Sequence, residues 1–158
     1  MGRKHTFMDR EFGRGDYDPD DQGTFDRGLV FVMMPFLSED SRDIYDAVKD
    51  ECARLGLRAT RVDESGGSGF IIREVTSLIE QAEFIICDLS HERPNVYYEL
   101  GYAHGVGNEA DDILLLARAG TTLHFDIAPL RVNYFERIED LRGIVNSQMS
   151  RMIRVTRE

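Results

Sequence analysis

The chain has 158 residues, 42% of them apolar and 30% charged, the make-up of one folded domain with an ordinary core. Its net charge of −10 argues against a surface for nucleic-acid polymers, and no apolar run approaches the roughly 20 residues that cross a bilayer. The opening MGRKHTFMDR has no apolar stretch behind its basic residues, so it is not read as a secretory signal, and the expected compartment is the cytoplasm.

Residues 1–27 are rich in Asp, Gly and Arg and show neither helical nor strand period, so an extended arm is expected there and a single domain over 28–158. LVFVMM (29–34) is a continuous apolar run ended by Pro35 and reads as a buried strand. In the segment from Ser38 to Gly56, Ile44, Val48, Cys52 and Leu55 recur at helical spacing, and the glycine closes the helix. LRATRV (57–62) is a second strand. SGGSG (65–69) is a turn that lacks both the Walker lysine and the G-x-G-x-x-G spacing; with Asp63 or Glu64 at its base it could close over a phosphate, or serve only as a connector.

A second helix is expected over 70–82, with Ile71, Val75, Leu78 and Ile79 inward, then a third strand, EFIICD (83–88). Pro94 suits the first position of a third helix, running to about Gly107. DILLLA (112–117) and RVNYF (131–135) read as the last two strands, and 137–155 as a closing helix with Ile138, Leu141, Val145, Met149 and Ile153 on one face. Strands joined by helices must pair in parallel through right-handed crossovers. The expected fold is therefore α/β and flavodoxin-like, a doubly wound sheet of about five strands in the order 2-1-3-4-5. In that order ligands bind where the loops after strands one and three separate, and those loops are MPFLSED and DLSHERPN.

The second of these loops carries the candidate chemistry. Asp88 ends the third strand, and Glu99 follows eleven residues later inside the next helix. Each has an ordinary reading: Asp88 as an acceptor for loop N–H groups, Glu99 as a carboxylate favoured by the helix macrodipole. Asn95 could be a plain helix cap, and Tyr97, Tyr98 and Tyr102 could be packing residues. Taken together, they make a pocket for a ribose with a base stacked above it. An ionised carboxylate there would act on, or stabilise charge at, the anomeric carbon as an N-glycosidic bond breaks. Cys52 and Cys87 read as reduced, buried thiols. His5, His91, His104 and His124 share no ligand spacing, so neither a metal nor a bound cofactor is expected.

FVMMPF, RVDE and above all CDLSHERPNVYYELGYAHGVG resemble the nucleoside 2-deoxyribosyltransferase-like proteins, and within that superfamily the bacterial Toll/interleukin-1-receptor-like branch of anti-phage defence and signalling. The resemblance covers about residues 29–135 and is most specific in NVYYELGYAH. It implies that Glu99 is the catalytic glutamate and that Asp88 positions sugar or base. Tyr98 and Tyr102 would be aromatic walls, with Pro35 and Phe36 opposite and Asp63 and Asn95 as further substrate contacts. It also implies NAD⁺ as substrate rather than cofactor, cleaved by a glycohydrolase or cyclase that works as a homo-oligomer. A nucleoside deoxyribosyltransferase, a nucleoside-monophosphate N-glycosidase and a non-catalytic nucleotide sensor stay open beside it. Asn108 departs from the family pattern, standing where a lysine often follows this helix.

Overall fold

The computed structural model describes residues 25–35, 39–62, 68–91, 93–123 and 130–158. In chain order these form β1 (Asp26–Met33), α1 (Glu39–Arg54), β2 (Arg58–Thr60), α2 (Ser68–Gln81), β3 (Ala82–Asp88), α3 (Pro94–Gly105), β4 (Ile113–Arg118), β5 (Val132–Phe135) and α4 (Ile138–Arg157). The strands make one sheet in the order β2-β1-β3-β4-β5, every pairing parallel. This is the flavodoxin-like order expected from the sequence.

Strand alternation divides the core between the two faces of the sheet. Phe31, Met33, Ile85, Cys87 and Leu115 face one way and pack with Val75 and Ile79 of α2 and Val96, Leu100 and Ala103 of α3. Val30, Val32, Phe84, Ile86, Leu114 and Leu116 face the other way, against Ile44, Val48 and Cys52 of α1 and Leu141, Val145, Met149 and Met152 of α4. Because β1 and β3 are buried on both faces, they read as unbroken apolar runs rather than alternating ones. The register Met33↔Cys87 places the ends of these two strands side by side. No helix among the described residues is long and apolar enough to cross a membrane.

The element ends differ from the sequence reading where tertiary contacts decide them. β1 starts at Asp26, inside the expected arm, because Asp26 pairs with Ala82 across an irregular register and its carboxylate meets Arg58 at 2.7 Å. Gly28 sits at φ +88°, a conformation that favours glycine, and its N–H donates to the buried Glu83 carboxylate at 2.6 Å. Residues 1–24 lie outside the described residues, as do Phe36, Asp63 and Glu64. β2 is only three residues long, and α2 begins at Ser68, within the expected turn. α4 runs two residues past its expected end at 155, to Arg157, which grips Glu83 through Nε and Nη2 at 2.8 Å each.

Candidate functional site

Above the C-terminal end of β1 lies a cleft of about 310 Å³, part of it open to solvent. Its described walls are Phe31 to Met34 of β1 and the residue after it, Arg61 and Val62 beyond β2, Ile71 and Val75 from the first two turns of α2, and Glu99 of α3. The topology explains the gathering. The chain leaves β2 on one side of β1, and α2 crosses over β1 to reach β3, so the start of α2 roofs the end of β1. α3 packs beside α2 on the same face and brings Glu99 to the rim.

Glu99 is the sole carboxylate among the described residues of the wall, and Arg61 is the sole cation. Pro94 is the first residue of α3, so Glu99 is the sixth, and no acidic residue occupies the first helical turn. The macrodipole acts mainly within that first turn, which weakens the dipole explanation for this glutamate. Helix geometry gives it another reason. Val96, Leu100 and Ala103 are the buried stripe of α3, and half-buried Glu99 lies at that stripe's edge, where a side chain can face the cleft without being sealed in.

Asp88 was expected to share a notch with Glu99, and its described contacts are with the loop that follows β3. Strand alternation sends Cys87 toward α2 and α3, and the Asp88 carboxylate meets Ser90 of the following loop. The Ser90 N–H donates to Asp88 Oδ1 at 2.9 Å, and the Ser90 hydroxyl donates to the same oxygen at 2.5 Å. The hydroxyl in turn accepts the Arg118 N–H at 2.8 Å. Asp88 Oδ2 is buried with no hydrogen-bond partner among the described residues. Asp88 is 3% exposed, and burial pushes its carboxyl up; the Ser90 hydrogen bonds and the charges of His91 and Arg118 offset this only in part. Glu99 is therefore among the described residues of the cleft wall, and Asp88 is not. Cys87 lies near both: burial first, then the charges of Asp88 and Glu99, holds its thiol well above the usual range.

The other expected contacts scatter. Pro35 is buried directly after β1, beside Met34 of the wall. Asn95 is exposed in the first turn of α3, and the residue at the cap position is Arg93, so Asn95 does not cap the helix. Tyr98 is 63% exposed and is absent from the described wall of the cleft. Tyr102 is not a cleft wall either: its hydroxyl donates to Glu80 Oε1 of α2 at 2.5 Å, and its ring packs on the core between α2 and α3. The buried Asn108 side chain closes α3 by donating to the Ala103 carbonyl at 2.9 Å.

Arg61 is the wall residue that the sequence reading missed. Its guanidinium carbon lies 4.2 Å from the centroid of the Tyr45 ring of α1. A stacked arginine keeps its plane fixed and its charge undiminished. The signal available was a strand-end arginine, RV before DE, sixteen residues after a helical tyrosine. Neither becomes meaningful until β2 is placed beside β1. Among the described residues, no group of three or more His, Cys, Asp or Glu side chains could hold a metal ion.

No protein-family model and no curated protein matches the chain. Solved structures do. A 2-deoxyribosyltransferase from the psychrotolerant bacterium Bacillus psychrosaccharolyticus is 16% identical with a TM-score of 0.54, over 73% of this chain and 90% of that one. A CMP N-glycosidase from Clostridium botulinum is 14% identical with a TM-score of 0.60, over 73% and 97%. A flavo di-iron protein from Thermotoga maritima has the same TM-score of 0.60 at 13% identity, but this chain spans only 37% of its length. At these identities the likeness is one of fold, and the fold is flavodoxin-like.

Proposed function

We propose that this chain breaks the N-glycosidic bond of a nucleoside or nucleotide, with Glu99 acting at the anomeric carbon of the ribose. The observation that carries the reading is the position of Glu99, the one described carboxylate in a cleft at the C-terminal end of β1, where doubly wound sheets bind ligands. Two proteins of the same fold, a deoxyribosyltransferase and a CMP N-glycosidase, give the reaction class a precedent.

In this reading the ribose enters with C1′ facing the Glu99 carboxylate. The C1′–N bond breaks and its electron pair leaves with the base, while the carboxylate stabilises the oxocarbenium-like centre or bonds to it. Water then attacks C1′ as the Glu99–C1′ ester returns its electron pair to the carboxylate; the proton that the water gives up ends on the departed base, and the free sugar leaves. A second base in place of water gives transfer. Met33, Met34, Ile71 and Val75 supply an apolar surface for the base and exclude water from the reacting centre. Asp88 serves as the second acid: Ser90 donates twice to Oδ1, which leaves Oδ2 as the oxygen for a further contact.

The sequence resemblance favours NAD⁺ as substrate, whereas the deoxyribosyltransferase and the CMP N-glycosidase of the same fold favour a nucleoside or a monophosphate. The test is a panel of nucleosides, nucleoside monophosphates and NAD⁺, incubated at low and high protein concentration, with free base or nicotinamide followed by chromatography. Release from a nucleoside or monophosphate is expected. Release from NAD⁺ alone selects the glycohydrolase reading, and no release from any substrate defeats both.

A further inference from the structure

Ser90 does more than the turn at the end of β3 requires. An aspartate whose carboxylate accepts the N–H two residues on makes a common local turn, and the Ser90 N–H supplies that bond to Asp88 Oδ1 at 2.9 Å. The turn needs no hydroxyl on the same oxygen, yet the Ser90 hydroxyl donates to Oδ1 at 2.5 Å. Its direction is set from outside the loop. The Arg118 N–H of β4 can only donate, and it reaches Ser90 Oγ at 2.8 Å, so the oxygen accepts there and its single hydrogen is left for Asp88. The contact continues the sheet: the Leu89 N–H donates to the Leu116 carbonyl at 2.8 Å, and one rung further the Ser90 side chain takes the place of a strand carbonyl. Arg118 is itself held, by Asp40 in the first turn of α1 and by the Phe135 ring, whose centroid lies 5.3 Å from its guanidinium carbon.

We infer that Ser90 is a positioning residue for Asp88, its hydroxyl oriented by β4 so that the carboxylate is held through Oδ1 and Oδ2 is left for a ligand contact. This rests on the reading of Asp88 as the second acid of an N-glycosidic site, and it says what aims that acid. Two further observations favour a carboxylate held for use over one held for the turn alone. Asp88 is 3% exposed and its Oδ2 has no hydrogen-bond partner among the described residues, an arrangement that burial penalises and a turn does not need. The charges of Asp88 and Glu99 also act together on the buried Cys87 thiol, so the second acid and the glutamate of the cleft lie within electrostatic reach of one group. The titratable and charged groups about Asp88 are Cys87 of β3, His91 of the loop, Glu99 of α3 and Arg118 of β4, the last paired with Asp40 of α1. Burial raises the Asp88 carboxyl, and the Ser90 hydroxyl is the foremost influence lowering it, ahead of the Ser90 N–H, His91 and Arg118.

The test uses the full chain as Ser90→Ala, Ser90→Thr and Asp88→Asn, with folding followed by thermal unfolding. In single-turnover base release from the substrate that the panel selects, Ser90→Ala is expected to be at least about tenfold slower with affinity kept within about twofold, and Ser90→Thr, which retains the hydroxyl, to return to within about threefold of wild type. The pH profile reads what a merely structural role would not move. Loss of the hydroxyl removes an influence that lowers the Asp88 carboxyl, so the limb of the profile that Asp88→Asn eliminates should lie at higher pH in Ser90→Ala and be restored in Ser90→Thr. Carbon-13 NMR of the Asp88 carboxyl, assigned with Asp88→Asn, reads the same change without turnover. A wild-type rate in Ser90→Ala, or an unmoved carboxyl titration, overturns the inference, as does a wild-type rate in Asp88→Asn. Where Ser90→Ala does not fold, Ser90→Cys, a weaker donor of similar size, should move rate and titration in the same directions, and wild-type values from it are equally fatal. A wild-type chain that releases no base sinks the glycosidase reading, and the carboxyl titration then decides alone whether Ser90 holds Asp88. Cleavage that Ser90→Ala leaves unchanged keeps the glycosidase reading and sinks the Ser90 assignment.

Discussion

Glu83→Gln tests the physical account of how the domain is closed at its base. Glu83 is 6% exposed and accepts three hydrogen bonds: from Gly28 N–H at 2.6 Å and from Arg157 Nε and Nη2 at 2.8 Å each. One carboxylate thus fastens the last turn of α4 to the first residues of β1 and β3. Burial by itself pushes the Glu83 carboxyl up. The Arg157 hydrogen bonds, the Gly28 N–H and the charges of Arg157 and Arg27 outweigh it and hold the group below the usual carboxylate range. Breaking a fully buried pair costs about 3–5 kcal/mol, and an exposed pair contributes about 0–1 kcal/mol. Here the Arg157 side chain is 26% exposed, and a glutamine can still accept the Gly28 N–H, so the expected loss is about 2–3 kcal/mol. For a domain of this size that corresponds to a fall in Tm of about 4–12 °C. The sign with pH follows from the lowered folded-state pKa. The stabilisation is complete above the unfolded value of about 4.3 and is lost as pH falls through the folded-state value. Urea unfolding of wild type and variant between pH 7 and pH 3 reads both effects. A difference below about 0.5 kcal/mol at pH 7, or one that does not shrink on acidification, would refute the reasoning.

Asp88→Asn should have the opposite dependence on pH. Because burial raises the folded-state pKa of Asp88, wild type loses stability as pH rises through that value, so the variant gains on wild type from acid to neutral pH; a constant difference contradicts this. The same variant should lose base-releasing activity if Asp88 is the second acid. Tyr102→Phe removes the hydroxyl bonded to Glu80 and should cost about 1 kcal/mol in thermal unfolding while leaving kcat/KM within about twofold, since the residue lies between helices rather than in the cleft. Burial, followed by the charge of Glu51, pushes the Cys52 thiol up to about 12, and burial holds the Cys87 thiol well above its usual range. Both should stay unreactive toward a thiol reagent at pH 8 until the chain is unfolded. Rapid labelling of the native protein would contradict the burial.

Much of the fold was legible because two physical signals agreed. Strands buried on both faces must be apolar throughout, and the helices between them must carry one apolar stripe, so β1, β3 and β4 and the helix faces could be read directly. The ends were less legible, since long-range contacts set them: Asp26 enters the sheet through Ala82 and Arg58, and Arg157 extends α4 because Glu83 holds it. The same limit governs the site. Glu99 could be found from its motif and from the crevice that the strand order creates. Asp88 could be found, but not its pairing with Ser90, whose N–H and hydroxyl meet one carboxylate oxygen. The hydrogen bond of Tyr102 could not be read because its partner, Glu80, lies on another helix, and Arg61 was missed because α1 supplies the ring that orients it. Pairings between elements leave little trace in local spacing.

The central claim is that Glu99 of α3, in the cleft at the end of β1, reacts at an anomeric carbon. Its most direct measurement is single-turnover release of base by wild type and by Glu99→Gln, with excess enzyme and whichever substrate the panel selects. The account predicts a burst of free base from wild type and at least about a 1,000-fold slower release from the variant, with substrate affinity retained. Equal rates from the two proteins would contradict it.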